Sequence, residues 1–530
     1  MIKNTLYTEE LWESFVEKNG KTKNEFNLKT YPQLDPYFNF LENSSEIKNL
    51  ISDPTLKKVS EHSFLPFIKI LTKTPRYRYQ EDEKNYGLET KIRPISFASH
   101  FDSYIYAYYS HALTERYQKY IKKCEFDKCV LAYRSDLDGK CNIQFAKEIF
   151  NEVEKRIGKF GTCSAIALDI TGYFDNIDHF ILKNKWCKVV GEKMLPADQY
   201  KIFRSLTKYS YINKNSILKH FDISLKKSGS WSSLLDLIPN HLVGSRFNDK
   251  LNLIRKRRLI VQNKPKINKN GEIEYRGIPQ GSPMSAVLSN IYLIDFDEKI
   301  FKLSKELDFV YRRYCDDILI ICHPENAENI NKIIIEEIKS YSLIIQPKKT
   351  ELITFKKSLR DKIRGFNQKK INKMSPIINA QNEQRYFKNL QYLGFEFNGE
   401  NIYIRPGSLS RYFRKMKGRI IKSIMMSYSD KSKRDKILKK QIFERYSHFG
   451  KRNFLSYAIK SSKKQYYSRS AKKFREGMNS VSIRRQLSSH FAILEKEIIS
   501  KSNQRFDYKE YIYDEKIAQG KRAKRKNLKL

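Results

Sequence analysis

Two adjacent aspartates, Asp316 and Asp317, stand between two apolar runs, and this arrangement constrains the fold more than any other stretch of the chain. Upstream lies Phe309-Val310-Tyr311, followed by Arg312-Arg313; downstream lies Ile318-Leu319-Ile320-Ile321-Cys322. Runs rich in β-branched and aromatic residues on either side of a short polar break predict a strand, a tight turn and a second strand. The segment Tyr314-Cys315-Asp316-Asp317 then sets two carboxylates at a hairpin tip. Their mutual repulsion is relieved there only by water or a cation. Taken alone, such a pair is most often a solvated turn.

Asp169 changes that balance. It ends a small apolar strand, Cys163-Ser164-Ala165-Ile166-Ala167-Leu168, and the glycine and polar residues of Ile170-Thr171-Gly172-Tyr173-Phe174-Asp175-Asn176-Ile177-Asp178-His179 predict a turn into a helix. A carboxylate where a buried strand opens into a turn can meet the hairpin carboxylates across a sheet. Mg²⁺ suits that geometry, because it takes few carboxylates and completes its octahedron with water and phosphate oxygens. The bland alternative is a capping aspartate and a surface turn that never meet. A further segment, Arg276-Gly277-Ile278-Pro279-Gln280-Gly281-Ser282-Pro283-Met284-Ser285, brackets a Pro-Gln pair with glycines that allow close backbone approach. Ser282 is the expected N-cap and Pro283 the first residue of a helix carrying Val287, Leu288, Ile291 and Ile294.

With these motifs in this order, the chain resembles a reverse transcriptase. The family's palm motifs correspond to residues 169–178, 277–283 and 314–317. Gln346-Pro347-Lys348-Lys349-Thr350 is similar to the fourth palm motif and Tyr392-Leu393-Gly394-Phe395 to the primer grip. Lys91-Ile92-Arg93-Pro94-Ile95 is similar to the fingers motif that holds the incoming triphosphate. The resemblance spans residues 60–400 and implies an α+β right-hand polymerase with fingers, palm and a helical, basic thumb. It implies that Asp169 and Asp316 are metal ligands, with the Ile170 carbonyl and Asp317 in support. It assigns Phe174 to the steric gate against a ribose 2′-hydroxyl, Lys91 and Arg93 to the phosphates, and Gln280 to the nucleotide and template pocket. Lys349 becomes a candidate general acid for departing pyrophosphate, or else an ordinary solvated turn lysine. The implied cofactor is a pair of Mg²⁺ ions, with Mn²⁺ as a substitute. The implied partners are an RNA template, deoxynucleoside triphosphates and the DNA product.

Composition agrees with a polyanionic partner. Against 59 acidic residues stand 102 Lys and Arg, a formal charge of +43, and such a field gathers nucleic acid through counterion release. The 34 Tyr and 32 Phe supply stacking surfaces, although a chain of 530 residues also needs many of them for its cores. Seven cysteines are scattered without zinc-site or disulfide spacing, Cys124 and Cys129 being at most half a metal site, which predicts reduced thiols in a cytoplasm. No apolar run reaches the length of a membrane span.

The expected organisation is an N-terminal extension over 1–60, fingers and palm over 61–400, a helical thumb and C-terminal region over 401–515, and a basic tail over 516–530. A fingers helix is expected through Tyr104, Ala107, Tyr108, His111, Ala112 and Leu113. A cationic cluster falls at Arg255-Lys256-Arg257-Arg258, and a hairpin turn at Lys269-Asn270-Gly271-Glu272. In the thumb, Leu409, Phe413, Met416, Ile420 and Ile424 mark an apolar face. Arg411, Arg414, Lys415, Arg419 and Lys422 lie mainly around the rest, placed to track a duplex.

The wording of the palm motifs is similar to bacterial group II intron and retron enzymes. The absence of a Cys/His-rich endonuclease tail and of a Val-Thr-Gly thumb signature, with an extra basic C-terminal region, makes the chain most similar to abortive-infection and other defence-associated reverse transcriptases. That subfamily implies antiphage DNA synthesis with an associated non-coding RNA. Two alternatives stay open. One is untemplated or protein-primed synthesis, with Tyr508, Tyr511 and Tyr513 as candidate acceptors. The other is an intron-maturase-like RNA-binding protein in which catalysis is secondary.

Overall fold

A computed structural model describes residues 6–19, 31–80, 85–223, 233–267, 271–428, 437, 439–469 and 471–502. The chain divides into two compact, interleaved units. The first comprises residues 1–134, 168–319 and 329–350; the second comprises 135–167, 320–328 and 351–530.

In the first unit the fingers region is a sheet of β1 (Phe67–Gln80), β2 (Asn85–Phe97), β4 (Ser210–Asn213) and β5 (Ile260–Gln262), in the order β2-β1-β4-β5; the chain crosses β3 (Cys163–Asp169) between the second and third of these. β1 and β2 pair along their whole length, which sets Thr72 opposite Arg93 and Thr74 opposite Lys91. Ile68 of β1 and Ile212 of β4 pack with Leu34, Ile217, Leu234, Leu235, Ile238, Leu251 and Ile254 into one core. The expected fingers helix is present as His100–Ile121, N-capped by Ser99, whose hydroxyl accepts from the Asp102 amide at 3.0 Å. Tyr104, Tyr108, His111, Ala112 and Leu113 are buried on it.

The described part of the N-terminal extension is built into this unit. Trp12 and Phe15 lie against Phe40 and Tyr108 at ring separations of 5.6–6.1 Å. The Asp35 carboxylate accepts from the His100 and Phe101 amides at 2.9 and 3.0 Å, so the extension caps the fingers helix. A short hairpin of β6 (Lys266–Ile267) and β7 (Ile273–Glu274) pairs Ile267 with Ile273. Of its expected turn, Lys269 and Asn270 lie outside the described residues. The strands β8 (Val310–Tyr314) and β9 (Asp317–Cys322) form the expected hairpin, and β9 neighbours the C-terminal end of β3. Burial runs unbroken from Ile318 to Cys322, as in a strand covered on both faces.

One helix boundary differs from expectation. Ser282 does not cap a helix beginning at Pro283; the helix is Ser285–Tyr292, preceded by Met284 without a side-chain cap. The Ser285 hydroxyl instead donates to the Pro279 carbonyl at 2.7 Å, which holds residues 279–285 as a compact loop. Loop closure thus takes the place of helix extension.

The second unit contains β10 (Glu351–Lys357), paired with residues 163–167 of β3 on one side and with β11 (Ile363–Asn367) on the other. There follow β12 (Leu390–Tyr392), β13 (Phe395–Phe397) and β14 (Ile402–Ile404), in the order β12-β13-β14. Leu393 and Gly394 both have positive φ (46° and 93°), the two-residue turn whose twist suits a tight hairpin. The helix Pro406–Ser427 carries the expected apolar face: Met416 and Ile420 are buried with Ile437, Ile442, Phe443, Leu494 and Ile498, and Phe413 and Ile424 pack at the margin. Arg411, Arg414, Lys415 and Lys422 are exposed on the same helix. A last hairpin, β15 (Gln465–Ser468) with β16 (Lys473–Glu476), precedes the helices Val481–Ser488 and His490–Ser502. The basic tail and Tyr508, Tyr511 and Tyr513 lie outside the described residues. The architecture is α+β, as expected, with the strand arrangement of a polymerase palm.

The Pro406–Ser427 helix owes its place to a small apolar core. Ile420→Ala, which removes a wholly buried side chain from it, is expected to cost about 2–5 kcal/mol. The check is urea unfolding followed by circular dichroism.

Candidate active site

β3 ends at Asp169, and the next residue is already stitched to the hairpin: the Ile170 amide donates to the Asp316 carbonyl at 3.1 Å. Residues 344–346 close the other side, with Thr171 N donating to Ile344 O at 2.8 Å and Gln346 N to Asp169 O at 2.8 Å. The backbone therefore brings Asp169, Ile170, Asp316 and the Pro347–Lys349 turn together. The Lys349 ammonium bonds the Asp169 carboxylate. Burial pushes the Asp316 carboxyl above its ordinary range, and the charge of Asp169 pushes it in the same direction, while Lys349 acts against them. The two carboxylates thus sense one another.

Asp317 opens β9 and is exposed. Among the described residues no three His, Cys, Asp or Glu side chains gather into a metal-holding group. The donor types nevertheless fit a hard divalent cation, since the charge of Asp169 acts against ionisation of Asp316 and Lys349 offsets it, and Mg²⁺ needs few carboxylates beside water and phosphate oxygens.

The Gln280 loop is bound to the turn after Asp169. Ile278 N donates to Phe174 O at 2.9 Å, and Gly277 N to Ile177 O at 2.8 Å. A Cβ on Gly281 would stand 2.8 Å from the Ser96 carbonyl, at a φ of +115° that side chains rarely adopt. That close approach lets Ser96 N donate to Gln280 O at 2.8 Å, locking the loop to β2. Lys91, Arg93 and Ile95 alternate along β2 and share one face, and a Gly281 Cβ would lie 2.9 Å from the Ile95 side chain. The face bearing Lys91 and Arg93 is therefore the one against the Gln280 loop. Phe174 is half-buried in the short helix Tyr173–Asn176.

Residues 243–397 match the family model described as Reverse transcriptase (RNA-dependent DNA polymerase). The chain carries a reverse transcriptase domain. That domain is the polymerising enzyme of its family, an RNA-directed DNA polymerase. The matched span holds Gln280, Asp316, Asp317 and Lys349. Asp169 and Phe174 lie before it and are joined to it by the hydrogen bonds just described. Solved structures similar to the chain include three telomerases. That of Candida albicans, in complex with a fragment of telomeric RNA, is 13% identical over 96% of this chain and 67% of that one, with a TM-score of 0.33. Apo telomerase of Candida tropicalis is 12% identical over 92% and 72%, at 0.34. The same species' telomerase in complex with telomeric RNA is 13% identical over 91% and 61%, at 0.35.

The reverse transcriptase domain also contains a buried polar network that the sequence motifs do not announce. Arg313, wholly buried, donates from Nε to Asp297 Oδ1 at 2.7 Å and pairs through Nη2 with the other oxygen of that carboxylate. Tyr311 OH donates to Asp297 Oδ1 at 2.6 Å. The Arg313 Nη1 donates to the Cys315 carbonyl at 3.2 Å, immediately before Asp316. Cys315 sits in the left-handed region (φ 58°), a costly conformation for a residue with a side chain. Asn290 Nδ2 donates to Ala132 O at 2.8 Å, and Leu131 N to Arg313 O at 2.9 Å. The chain continues from there to Tyr133, whose hydroxyl is held above its ordinary value by burial and by neighbouring Cys315 and Asp316. A sequence signal existed for Arg313: it shares strand parity with Tyr311 and Cys315, so a cation there needs an acid. Asp297 lies in phase with buried Ile294 and Ile300 on its helix.

Asp297→Ala, which strands a buried guanidinium, is expected to destabilise the protein by about 3–5 kcal/mol. An Arg313→Met/Asp297→Leu pair is expected to recover most of that stability but not DNA synthesis, because the Cys315 carbonyl stays without its donor. Urea unfolding and primer extension on the same preparations separate the two effects.

Proposed function

We propose that this protein polymerises deoxynucleotides on a 3′-hydroxyl, copying RNA, with Asp169 and Asp316 holding divalent metal and Asp317 and the Ile170 carbonyl in support. The observation that carries the reading is the approach of Asp169, paired with Lys349, to Asp316, which lies within the span matching the reverse transcriptase model. Mg²⁺ bound there, for which Mn²⁺ is a substitute, supplies Lewis-acid activation of the attacking hydroxyl and neutralises charge on the leaving pyrophosphate.

The chain's own residues do the rest. Arg93 presents a fork of donors suited to phosphate oxygens, and Lys91 adds a point charge on the same strand face. Gln280, fixed to β2 through its carbonyl, orients the nucleotide and template. Phe174 blocks the space of a ribose 2′-hydroxyl. Lys349, the cation nearest Asp169, can hold or release a proton as pyrophosphate departs. The exposed cations of Pro406–Ser427 suit the phosphates of a primer–template duplex.

The biological setting follows from the resemblance of the palm motifs and basic C-terminal region to defence-associated bacterial enzymes. We assign the protein to cytoplasmic antiphage DNA synthesis with an associated non-coding RNA as template. Its seven free cysteines agree with a reducing compartment.

Two tests follow. Asp316→Asn is expected to lower Mg²⁺-dependent incorporation of labelled deoxynucleotides by more than about a hundredfold, since even supporting groups around metals are worth 10–100-fold. Unchanged incorporation would end the two-carboxylate reading, and product made without RNA would favour untemplated synthesis. Phe174→Ala is expected to raise ribonucleotide use relative to deoxynucleotide by about ten- to a hundredfold, read from competing substrates in primer extension.

A further inference from the structure

The hairpin of β15 and β16 has two unlike faces. Its inner face is anchored within its own unit: Tyr466 OH accepts from Gln144 Nε2 at 3.2 Å, and buried Arg475 pairs with Asp138 at 3.4 Å. Lys473 also pairs with Asp138, while Glu476, on the opposite face by the register, pairs with Lys147 at 3.0 Å. Strand alternation turns the next residues the other way. Tyr467 and Phe474 are directly opposite in the register, with ring centroids 5.5 Å apart at an interplanar angle of 72°. Tyr467 is 48% exposed and Phe474 69% exposed.

An exposed aromatic pair on a rigidly anchored hairpin is an unusual use of apolar surface, and its surroundings show what it suits. Lys464, Arg469 and Lys472 are exposed around it and make no ion pair among the described residues. The acids nearby are already taken up by Lys147, Lys473 and Arg475. The face therefore offers two rings and three uncompensated cations. Bases stack on rings whatever their sequence, and phosphates follow cations, so this combination matches a single strand of nucleic acid.

We propose that the outer face of the β15–β16 hairpin is a binding site for single-stranded nucleic acid, with Tyr467 and Phe474 stacking bases and Lys464, Arg469 and Lys472 holding the flanking phosphates. The site belongs to the second unit and contains none of the residues assigned to polymerisation. Binding there needs no DNA synthesis. An Asp316→Asn chain is expected to retain it, so failure of the polymerase reading and failure of this one are distinguishable.

The test uses the full chain and a 20-nucleotide oligouridine carrying 4-thiouridine, with heparin present to suppress diffuse binding to so basic a protein. Ultraviolet cross-linking and peptide mass spectrometry are expected to place adducts on Tyr467 or Phe474. Tyr467→Leu/Phe474→Leu keeps apolar bulk and removes both rings. It is expected to abolish those adducts and weaken binding by about tenfold or more in fluorescence anisotropy, with an unchanged thermal unfolding curve. Lys464→Gln/Arg469→Gln/Lys472→Gln leaves the rings in place, and is expected to flatten the slope of log affinity against log salt by about 2. Adducts confined to other segments, with unchanged affinity in both variants, would overturn the proposal. So would self-association of the parent chain in sedimentation that the Leu pair abolishes, because the face would then be an interface between copies.

Discussion

A buried guanidinium that must find an anion organises the centre of this protein. Arg313 has no access to water, and a charge in that position is tolerable only when paired and hydrogen-bonded. Asp297 provides the pair. Once the two are locked, Arg313 has a donor left for the Cys315 carbonyl, and Cys315 can hold a left-handed conformation that the backbone would otherwise leave. The turn thus has one shape, and Asp316 inherits it. Ion pairs of this type seldom add stability over an apolar substitute, so conformational specificity is the better account of this one. Such a turn could have been built from glycine; an arginine makes it rigid as well.

The site itself is a frustrated electrostatic arrangement. Burial raises the cost of ionising Asp316, and the charge of Asp169 adds to it. Lys349 relieves Asp169 but is a single charge on a flexible stem. A divalent cation held there would relieve both carboxylates at once and could take phosphate oxygens besides. The same sign logic extends outward, since Lys91 and Arg93 lie on the strand face against the Gln280 loop and carry charge opposite to that of a triphosphate. Over the whole chain, 102 Lys and Arg against 59 acids make a field that attracts polyanions, around a site whose own carboxylates are acidic.

Close backbone approach carries the coupling between these parts. Gly281 has no room for a Cβ beside Ser96, and a Cβ on Gly277 would stand 3.2 Å from the Asp175 carbonyl oxygen. The fingers strand, the Gln280 loop and the turn after Asp169 consequently form one hydrogen-bonded series, Ser96 to Gln280, then Ile278 to Phe174. The strand bearing Arg93 is thereby connected to Phe174 through backbone hydrogen bonds alone. The N-terminal extension joins the same body, because Asp35 supplies acceptors to the first amides of the fingers helix.

What the sequence disclosed follows from what local patterns encode. Period-two apolar runs around Asp316 and period-3.6 spacing through Met416 and Ile420 are local, and both became the expected elements. The ordered motifs pointed to the polymerase because their spacing along the chain is itself information. Burial of Arg313 was partly legible from strand parity, but its partner Asp297 lies 16 residues away on a helix, and no local pattern links them. Ser282 satisfies the local rule for a cap, yet the helix begins at Ser285, because the loop answers to Pro279 and to β2 across the fold. The two faces of the β15–β16 hairpin are not legible locally for a related reason: Tyr466 and Tyr467 are the same residue type in adjacent positions. Only their partners, Gln144 on one side and solvent on the other, divide one tyrosine for holding the hairpin from one free to hold something else.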